Sequence, residues 1–414
     1  MASSEITLEA VPSVSDIKAA EWDACANPKP DPNSLENLDT LASNGARTDT
    51  CTNSSPAYNP FVSHAFFAAA EASGSACART GWGPRHLLAR LGGDIVGIVP
   101  CYLKSHSQGE YVFDRGWADA YERAGGRYYP KLQASVPFTP ATGPRLLIRD
   151  GVDRDRIRTS LASGLMALCN ATNASSVHVT FAREAEAKFL GGHGFLLRND
   201  QQFHWRNAGY TSFEDFLTSL NSRHRKAIKR ERREATTAGI TIHRLTGVDI
   251  TEDAWDAFFA FYMETGSRKW GRPYLTRKFF SLIGESMSRD VLLVMAKRNG
   301  RWIAGAINFI GSDTLFGRNW GAIEHHPFLH FEVCYYQAIE FAIERGLKTV
   351  EAGAQGEHKL ARGYLPQTTY SAHYIADPDL RRAIADYLKR ERAYVAEVGR
   401  ELSEAGPFRK ADEA

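Results

Sequence analysis

The stretch VLLVMAKRNGRWIAGAI, residues 291–307, decides the fold, because two apolar runs flank an Asn-Gly turn. This order is typical of a β-hairpin. Residues 87–99, LLARLGGDIVGIV, show the same order around a Gly-Gly turn. A helical stretch with a phenylalanine pair precedes each hairpin, and the offset from Phe66 to Phe279 is 213 residues, close to half of the 414-residue chain. The pattern therefore predicts that the second half of the chain repeats the first.

Length and composition agree with two domains. A chain of 414 residues exceeds what one core usually supports. It is 43% hydrophobic and 24% charged with a net charge of +2, which is typical of a soluble globular protein without a global basic excess. We predict a first lobe at 1–205, with a polar loop or disordered insertion near 27–60, a second lobe at 206–376, and a C-terminal helix and tail at 377–414.

Cysteine spacing and the N-terminus indicate the compartment. The six cysteines stand far apart, with no C-x-x-C pair and no Cys/His cluster at zinc-ligand spacing. The first residues carry acids where a secretory signal needs a basic start and an apolar core, and no stretch approaches the roughly 18 apolar residues of a membrane span. We therefore expect a cytoplasmic protein without a membrane span.

A strongly basic segment opens the second half. Ser212 is positioned to cap a helix whose apolar stripe we extend from Phe213 to Ile228. Within eleven residues this helix has a single acid, Glu231, and seven basic residues. These are Arg223, Arg225, Lys226, Lys229, Arg230, Arg232 and Arg233. Like charges at helical spacing repel, so the segment is either a solvated face or a binding surface for RNA or phosphate, in which the anion offsets the repulsion.

Residues 217–242, together with KSHSQGEYVFD at 104–114 and GAQGEHK at 353–359, resemble the Fem family of bacterial peptidyltransferases and a related group of N-acyltransferases. The likeness extends over about residues 58–395. It implies an α/β fold (α+β in strict usage) of two tandem GNAT-like acyltransferase lobes, each a mixed, mostly antiparallel sheet flanked by helices. Members of the family use aminoacyl-tRNA to extend the peptide of a peptidoglycan precursor.

A run of interleaved aromatic and charged residues in the first half is our candidate for substrate binding. A core strand rarely carries so many charges and a surface loop rarely so many rings, whereas a cleft for a polar ligand uses both. For any single ring, simple packing is the alternative. The candidates are Lys104, His106, Glu110, Asp114, Trp117, Tyr121, Tyr129 and Lys131.

The second half offers the candidates for catalysis. Transfer to an amine requires a group that takes a proton, for which we select Glu351 at a strand end and His358. A strand-end carboxylate that merely pairs with a cation is the alternative for Glu351. Further substrate-binding candidates are Arg318, Trp320, Lys359 and Arg362. We expect no metal, because two of the three histidines at 325, 326 and 330 are adjacent and no carboxylate pair completes a ligand set.

We expect no tightly bound cofactor. The acyl group comes from a donor co-substrate, which is aminoacyl-tRNA or acyl-CoA. GNAT enzymes that use acetyl-CoA generally hold its pyrophosphate on a glycine-rich turn at a helix N-terminus, and the chain has no clean copy of that turn. We therefore favour aminoacyl-tRNA over acyl-CoA as donor, with an amine acceptor such as a peptide of a cell-wall precursor. An acyl-CoA-dependent N-acetyltransferase and a non-catalytic recognition module for peptidoglycan or aminoacyl ligands are the alternatives. The oligomeric state is left open.

Overall fold

The computed structural model describes residues 5–28, 57–270, 273–353 and 356–409, without the side chains of 268–270 and 357. Most of the predicted insertion near 27–60 lies outside the described residues. So do Ala354 and Gln355 of the GAQGEHK motif.

The first half begins with a strand and a short helix and then alternates strands with helices. Its strands are β1 (Ile6–Val11), β2 (Trp82–Pro84), β3 (His86–Leu91), β4 (Asp94–Val99), β5 (Cys101–Lys104), β6 (Lys131–Ala134), β7 (Leu147–Ile148), β8 (Ser176–Ala182) and β9 (Leu196–Arg206). Its helices are α1 (Ala19–Ala26), α2 (His64–Ala72), α3 (Arg115–Arg123), α4 (Arg154–Ala171) and α5 (Glu184–Gly192).

The second half repeats the helix, hairpin and helix order. Its strands are β10 (Ile240–Thr246), β11 (Val291–Arg298), β12 (Arg301–Ile310), β13 (Thr314–Ala322), β14 (Thr349–Glu351) and β15 (Leu365–Ile375). Its helices are α6 (Phe213–Ser219), α7 (Ser222–Ala235), α8 (Glu252–Trp270), α9 (Arg277–Met287), α10 (Leu329–Phe331), α11 (Gln337–Glu344) and α12 (Pro378–Glu404), with a π-helical turn at Glu332–Tyr336 between α10 and α11.

The helix predicted over the basic segment is two helices. Ser212 caps α6 as expected, since its hydroxyl accepts from the amide of Asp215 at 3.0 Å. The stripe from Phe213 to Ile228 is then interrupted, because Leu220 takes an extended conformation (ψ 153°) and the Asn221 side chain caps α7. The prediction of one continuous stripe was wrong, because the apolar spacing continues across the break and cannot reveal it.

Both predicted hairpins are present and antiparallel. Leu88 pairs with Ile98 across β3 and β4, and Leu293 pairs with Ile307 across β11 and β12. The strands form a four-stranded sheet in the order β1-β3-β4-β7 and an eleven-stranded sheet in the order β10-β11-β12-β13-β14-β9-β15-β8-β6-β5-β2. Pairing is mostly antiparallel, with parallel contacts at β13–β14 and β6–β8. The predicted fold class, mixed α/β with flanking helices, is confirmed.

The two halves share the large sheet by exchanging strands. β9, the last strand of the first half, lies between β14 and β15 of the second half. β15 in turn pairs with β8, so it completes the part of the sheet that the first half forms. The positions of the lobe boundaries stay a prediction.

The repeated phenylalanines lie at the junction of the two halves. The rings of Phe66 on α2 and Phe279 on α9 are 5.6 Å apart and nearly perpendicular, so equivalent positions of the repeat face each other. Phe309 of β12 lies 5.7 Å from Phe66 and extends this contact into the sheet. One apolar core therefore runs from the first half into the second, so the two halves pack directly against each other.

Candidate active site

In the second half, β13 extends beyond its neighbour β14, which is three residues long. The two strands pair only from Thr314 with Thr349 to Phe316 with Glu351. β13 continues to Ala322, where it bonds to β12 alone. Gly321 is required on this stretch, because a Cβ there would lie 2.1 Å from the carbonyl oxygen of Phe261 on α8. One edge of β13 thus has no strand partner among the described residues beyond Phe316.

A cavity of about 590 Å³ lies at the end of β13 and the start of α10. Its lining includes Trp320, Glu264 and the three histidines at 325, 326 and 330. The Trp320 and His330 rings are 5.2 Å apart and form an aromatic wall. This cavity, which we call the donor cavity, also includes Phe328, whose backbone is left-handed (φ 60°) at the turn into α10.

His358 adjoins the same aromatic wall. Its ring is 6.0 Å from that of His330 and 5.7 Å from that of Phe331. Its Nε2 hydrogen-bonds with the Tyr335 hydroxyl at 2.9 Å, which orients the imidazole. His358 is exposed, so a ligand can reach it. The structure therefore brings together two predicted site residues, Trp320 and His358, through rings that link them.

Lys359 and Arg362 hold the turn on which His358 lies. The Lys359 ammonium donates to the carbonyls of Ala352 at 2.7 Å and Gly353 at 3.0 Å, beside the end of β14. Burial lowers the pKa of Lys359 to about 8. The Arg362 guanidinium donates to the His358 carbonyl at 2.6 Å and lies 3.4 Å from the Phe331 ring centroid. Both residues are buried and act on the backbone of the turn.

Glu351 points toward the first half of the chain. Its carboxylate accepts from the Thr142 amide at 3.4 Å and is buried, with 8% of the residue exposed. Burial raises the pKa of Glu351 to about 8, against the lowering influences of the Thr142 amide and nearby Arg145. The carboxyl is therefore mostly protonated at pH 7. It makes no hydrogen bond with His358 among the described contacts.

Arg318 also connects the two halves. On β13, its guanidinium donates to the Phe138 carbonyl and lies 5.6 Å from the Tyr111 ring centroid. Phe138 in turn stacks on Tyr274, with ring centroids 5.0 Å apart. Arg318 therefore positions a loop of the first half against the second, next to the cleft.

Four predicted substrate residues of the first half form a buried charge cluster: Lys104, Glu110, Asp114 and Lys131. Lys131 donates to Glu110 at 2.6 Å and to Asp114, while Lys104 lies 3.7 Å from Glu110. Burial acts to lower the pKa of Lys131, but its two carboxylate partners outweigh this and raise it. Burial lowers the pKa of Lys104 to about 7. None of the four is more than 4% exposed, so they stabilise one another rather than face solvent.

The other predicted residues of that run surround the cluster. The Tyr129 hydroxyl hydrogen-bonds with Ser107 at 2.8 Å, and Ser107 accepts from Lys131 at 2.8 Å. Trp117 is 8% exposed and packs against His373 with ring centroids 5.1 Å apart. Tyr121 packs against the same small core. A role of these residues in substrate binding stays a prediction.

His106 lines a second cavity of about 660 Å³ between the two halves. Its Nε2 hydrogen-bonds with the Thr80 carbonyl at 3.1 Å. The other walls are mainly apolar and aromatic, including Phe138, Phe259 and Tyr274. The buried charge cluster reaches this interlobe cavity through the loop that follows Lys104, whose ammonium donates to the carbonyl of Gln108, another lining residue, at 3.1 Å.

The seven basic residues of α7 do not share one environment. Arg232 is held from two sides, by Glu332 at 2.9 Å and Glu340 at 3.0 Å. Arg225 is half-buried. The other five are exposed and form what we call the basic face: Arg223, Lys226, Lys229, Arg230 and Arg233. On this face Lys229 pairs with Glu214, and Arg230 lies 3.7 Å from Glu234. Arg223, Lys226 and Arg233 have no ion pair among the described residues.

Several residues of the site were missed by sequence reasoning. Tyr335 and Phe331 are four apart on the helical segment after β13, a spacing that places both on one face and was a usable signal. Glu332 lies on the same segment. Its pairing with Arg232 could not be predicted from neighbouring residues, because Arg232 is 100 positions earlier. No group of three or more His, Cys, Asp or Glu side chains in the described part of the chain is arranged to hold a metal ion. None of the helices described is both long enough and apolar enough to cross a membrane.

The sequence profile of the FemAB-like family, described as peptidoglycan biosynthesis/recognition, matches residues 13–410. The chain belongs to this family. The predicted family and the predicted enzyme class, an acyltransferase, are thereby confirmed. No curated protein sequence matches the chain.

Several solved structures are similar to this FemAB-like protein. FemX is 12% identical over 74% of this chain and 92% of that chain, with a TM-score of 0.48. L-PGS from Bacillus licheniformis is 9% identical over 87% and 98%, with a TM-score of 0.49. A tandem GNAT protein from the clavulanic acid biosynthesis pathway is 13% identical over 90% and 99%, with a TM-score of 0.44.

Proposed function

We propose that this FemAB-like protein transfers an aminoacyl group from aminoacyl-tRNA to an amine, with a peptide of a peptidoglycan precursor as acceptor. One observation carries the choice of donor: the basic face of α7 adjoins the donor cavity. The Arg230 guanidinium lies 5.9 Å from the ring of Phe328, which lines that cavity. An RNA backbone that follows the basic face is therefore led to the cavity at the end of β13.

The donor cavity suits the acylated end of such a donor. Trp320 and His330 offer ring faces on which a terminal base stacks. The edge of β13 beyond Phe316 supplies backbone amides to the oxygen that becomes negative in the tetrahedral intermediate. The argument against acyl-CoA is that the sequence has no clean copy of the glycine-rich turn that holds its pyrophosphate.

The reaction needs two proton transfers. The acceptor nitrogen attacks the ester carbonyl carbon, a C–N bond forms, and the proton of the amine passes to His358, which Tyr335 orients. The ester C–O bond then breaks and the leaving hydroxyl takes up a proton. Glu351, mostly protonated at pH 7, suits proton donation better than the role of a base. The interlobe cavity, with its apolar and aromatic walls, suits a peptide acceptor.

The test offers radiolabelled aminoacyl-tRNA and acyl-CoA separately, each with a set of amine acceptors that includes peptidoglycan precursor peptides. We expect transfer from aminoacyl-tRNA. His358→Ala should lower that transfer by about 10²–10⁴-fold, the range usual for a general base. His193→Ala, at the end of α5 in the first half, is the matched control and should not.

The other outcomes separate the alternatives. Transfer from acyl-CoA alone would overturn the donor and leave an N-acetyltransferase. Binding of a precursor peptide or of aminoacyl-tRNA without any transfer would identify a recognition module instead.

A further inference from the structure

The inner side of α7 carries two adjacent residues of opposite charge, Glu231 and Arg232, and together they contact two parts of the candidate active site. Both carboxylate oxygens of Glu231 accept from Nη2 of Arg362 at 2.9 Å, and one of them also accepts from the Tyr336 hydroxyl. Arg232 donates to Glu332 at 2.9 and 3.0 Å. The helix that carries the basic face is therefore attached to the turn after β14 through Glu231, and to the π-helical turn after β13 through both Glu231 and Arg232.

Both attachments lead to His358. Arg362, held by Glu231, donates to the His358 carbonyl and so fixes the backbone of that residue. The π-helical turn at Glu332–Tyr336, held by Arg232, carries Tyr335, which bonds the His358 imidazole. The side chain and the main chain of His358 are thus positioned from the same helix.

Such pairs act through geometry more than through net stability. Glu231 is 8% exposed and Arg362 7%, and a buried ion pair gains little net free energy because desolvation offsets the attraction. The planar guanidinium of Arg362, in contrast, joins two groups: its Nη2 bonds both Glu231 oxygens while its Nη1 donates to the His358 carbonyl. The pair is therefore suited to hold a turn in place.

We propose that Glu231 is a positioning residue, which acts through Arg362 to hold the His358 turn in register with the basic face of α7. An RNA bound on the basic face then meets a His358 that is already aligned with the donor cavity. This inference rests on the proposed function for its catalytic consequence. It adds a link between the donor-binding surface and the proton-handling residue.

The test uses Glu231→Gln, which keeps the shape and removes the charge, and Glu231→Asp as the conservative variant. With aminoacyl-tRNA as donor, we expect Glu231→Gln to lower kcat about tenfold while the donor KM and its salt dependence change less than twofold. Glu231→Asp should recover part of kcat. Arg233→Gln on the basic face is the comparison and should raise the donor KM instead. A rise in donor KM at unchanged kcat for Glu231→Gln would overturn the proposal.

A second readout does not depend on activity. The ring resonances of His358, assigned by comparison with His358→Ala, are followed by NMR as a function of pH in the wild type, Glu231→Gln and Arg362→Lys. We expect both variants to shift these resonances while those of His193 stay unchanged. Unshifted His358 resonances would contradict the link even if the enzyme is active. Shifted resonances in a protein that transfers nothing would keep the link and reject the proposed function.

Discussion

The buried charge cluster and the basic face of α7 are both charge-rich, yet one is withdrawn from solvent and the other projects into it. Lys131 is 0% exposed and lies between two carboxylates, whereas Arg233 is exposed and has no ion pair among the described residues. A charge that is satisfied internally holds chain segments together. A charge without an internal partner is available to a ligand, which is why the two regions should respond differently to the same kind of substitution.

The largest difference is expected at Lys131. Lys131→Met removes the cation that the buried carboxylates of Glu110 and Asp114 share, while Lys104 remains 3.7 Å from Glu110. Removal of one partner from a buried ionic group costs about 3–5 kcal/mol of the free energy of unfolding. Urea unfolding at pH 7 measures this loss.

Lys104→Met is the control for that substitution. Lys104 is equally buried, but its distance to Glu110 is longer, at 3.7 Å, and its pKa of about 7 leaves it half neutral at pH 7. We expect a smaller loss of stability. Equal losses for the two variants would show that the cluster does not depend on the central position of Lys131.

Glu351 differs from both regions, because it is a buried carboxyl without an ion pair within 4 Å among the described residues, and it should make stability depend on pH. Burial raises its pKa from 4.5 to about 8, so between these values the folded chain keeps a proton that the unfolded chain has released. Its contribution is complete below pH 4.5 and is lost as the pH rises to 8. Between pH 5 and pH 7 the wild type should lose about 2–3 kcal/mol relative to Glu351→Gln.

The measurement is the free energy of unfolding of both proteins at several pH values from 5 to 8. Parallel curves would mean that Glu351 titrates normally and is not a proton donor at neutral pH. Asp313, whose charge acts to raise the pKa of Glu351, provides the control as Asp313→Asn. That variant should lower the pKa of Glu351 in the folded protein, so that the loss of stability ends at a lower pH and is smaller.

The repeat, the two hairpins and the helix caps could be predicted from sequence because they depend on neighbouring residues. Ser212 and Asp215 are three apart, and the turn at Asn299-Gly300 joins strands that are adjacent in the chain. The exchange of β9 and β15 between the two halves could not, because those strands are separated by about 160 residues and no local pattern records their pairing.

The candidate site shows the same limit. Trp320 and His358 were identified from their chemistry, and the structure connects them through His330. The burial of Lys104 and Lys131 was not predicted, because their aromatic and charged neighbours are equally typical of a cleft and of a sealed cluster. Whether a cation pairs with a buried carboxylate depends on the tertiary structure. The same holds for the seven basic residues of α7, of which Arg232 is paired with Glu332 and Arg233 is exposed.

The smallest effect on stability is expected on the basic face. The combined change of Arg223, Lys226 and Arg233 to Gln removes three cations without ion pairs in the described structure, so the free energy of unfolding should stay within about 0.5 kcal/mol. Binding of tRNA should nevertheless weaken. The slope of log K against log salt concentration should become shallower by roughly 0.7–0.9 for each phosphate that the variant no longer neutralises.

Arg232→Gln on the same helix is the matched contrast. Arg232 is bound to Glu332 and Glu340, so its loss should destabilise the protein and leave the salt slope nearly unchanged. If the triple variant keeps the wild-type salt slope, the basic face is a solvated surface and the RNA donor loses its main support. If Arg232→Gln changes the salt slope as much as the triple variant does, a cation that is paired inside the protein contributes to RNA binding as much as an exposed one. The distinction between paired and unpaired cations on α7 would then be wrong.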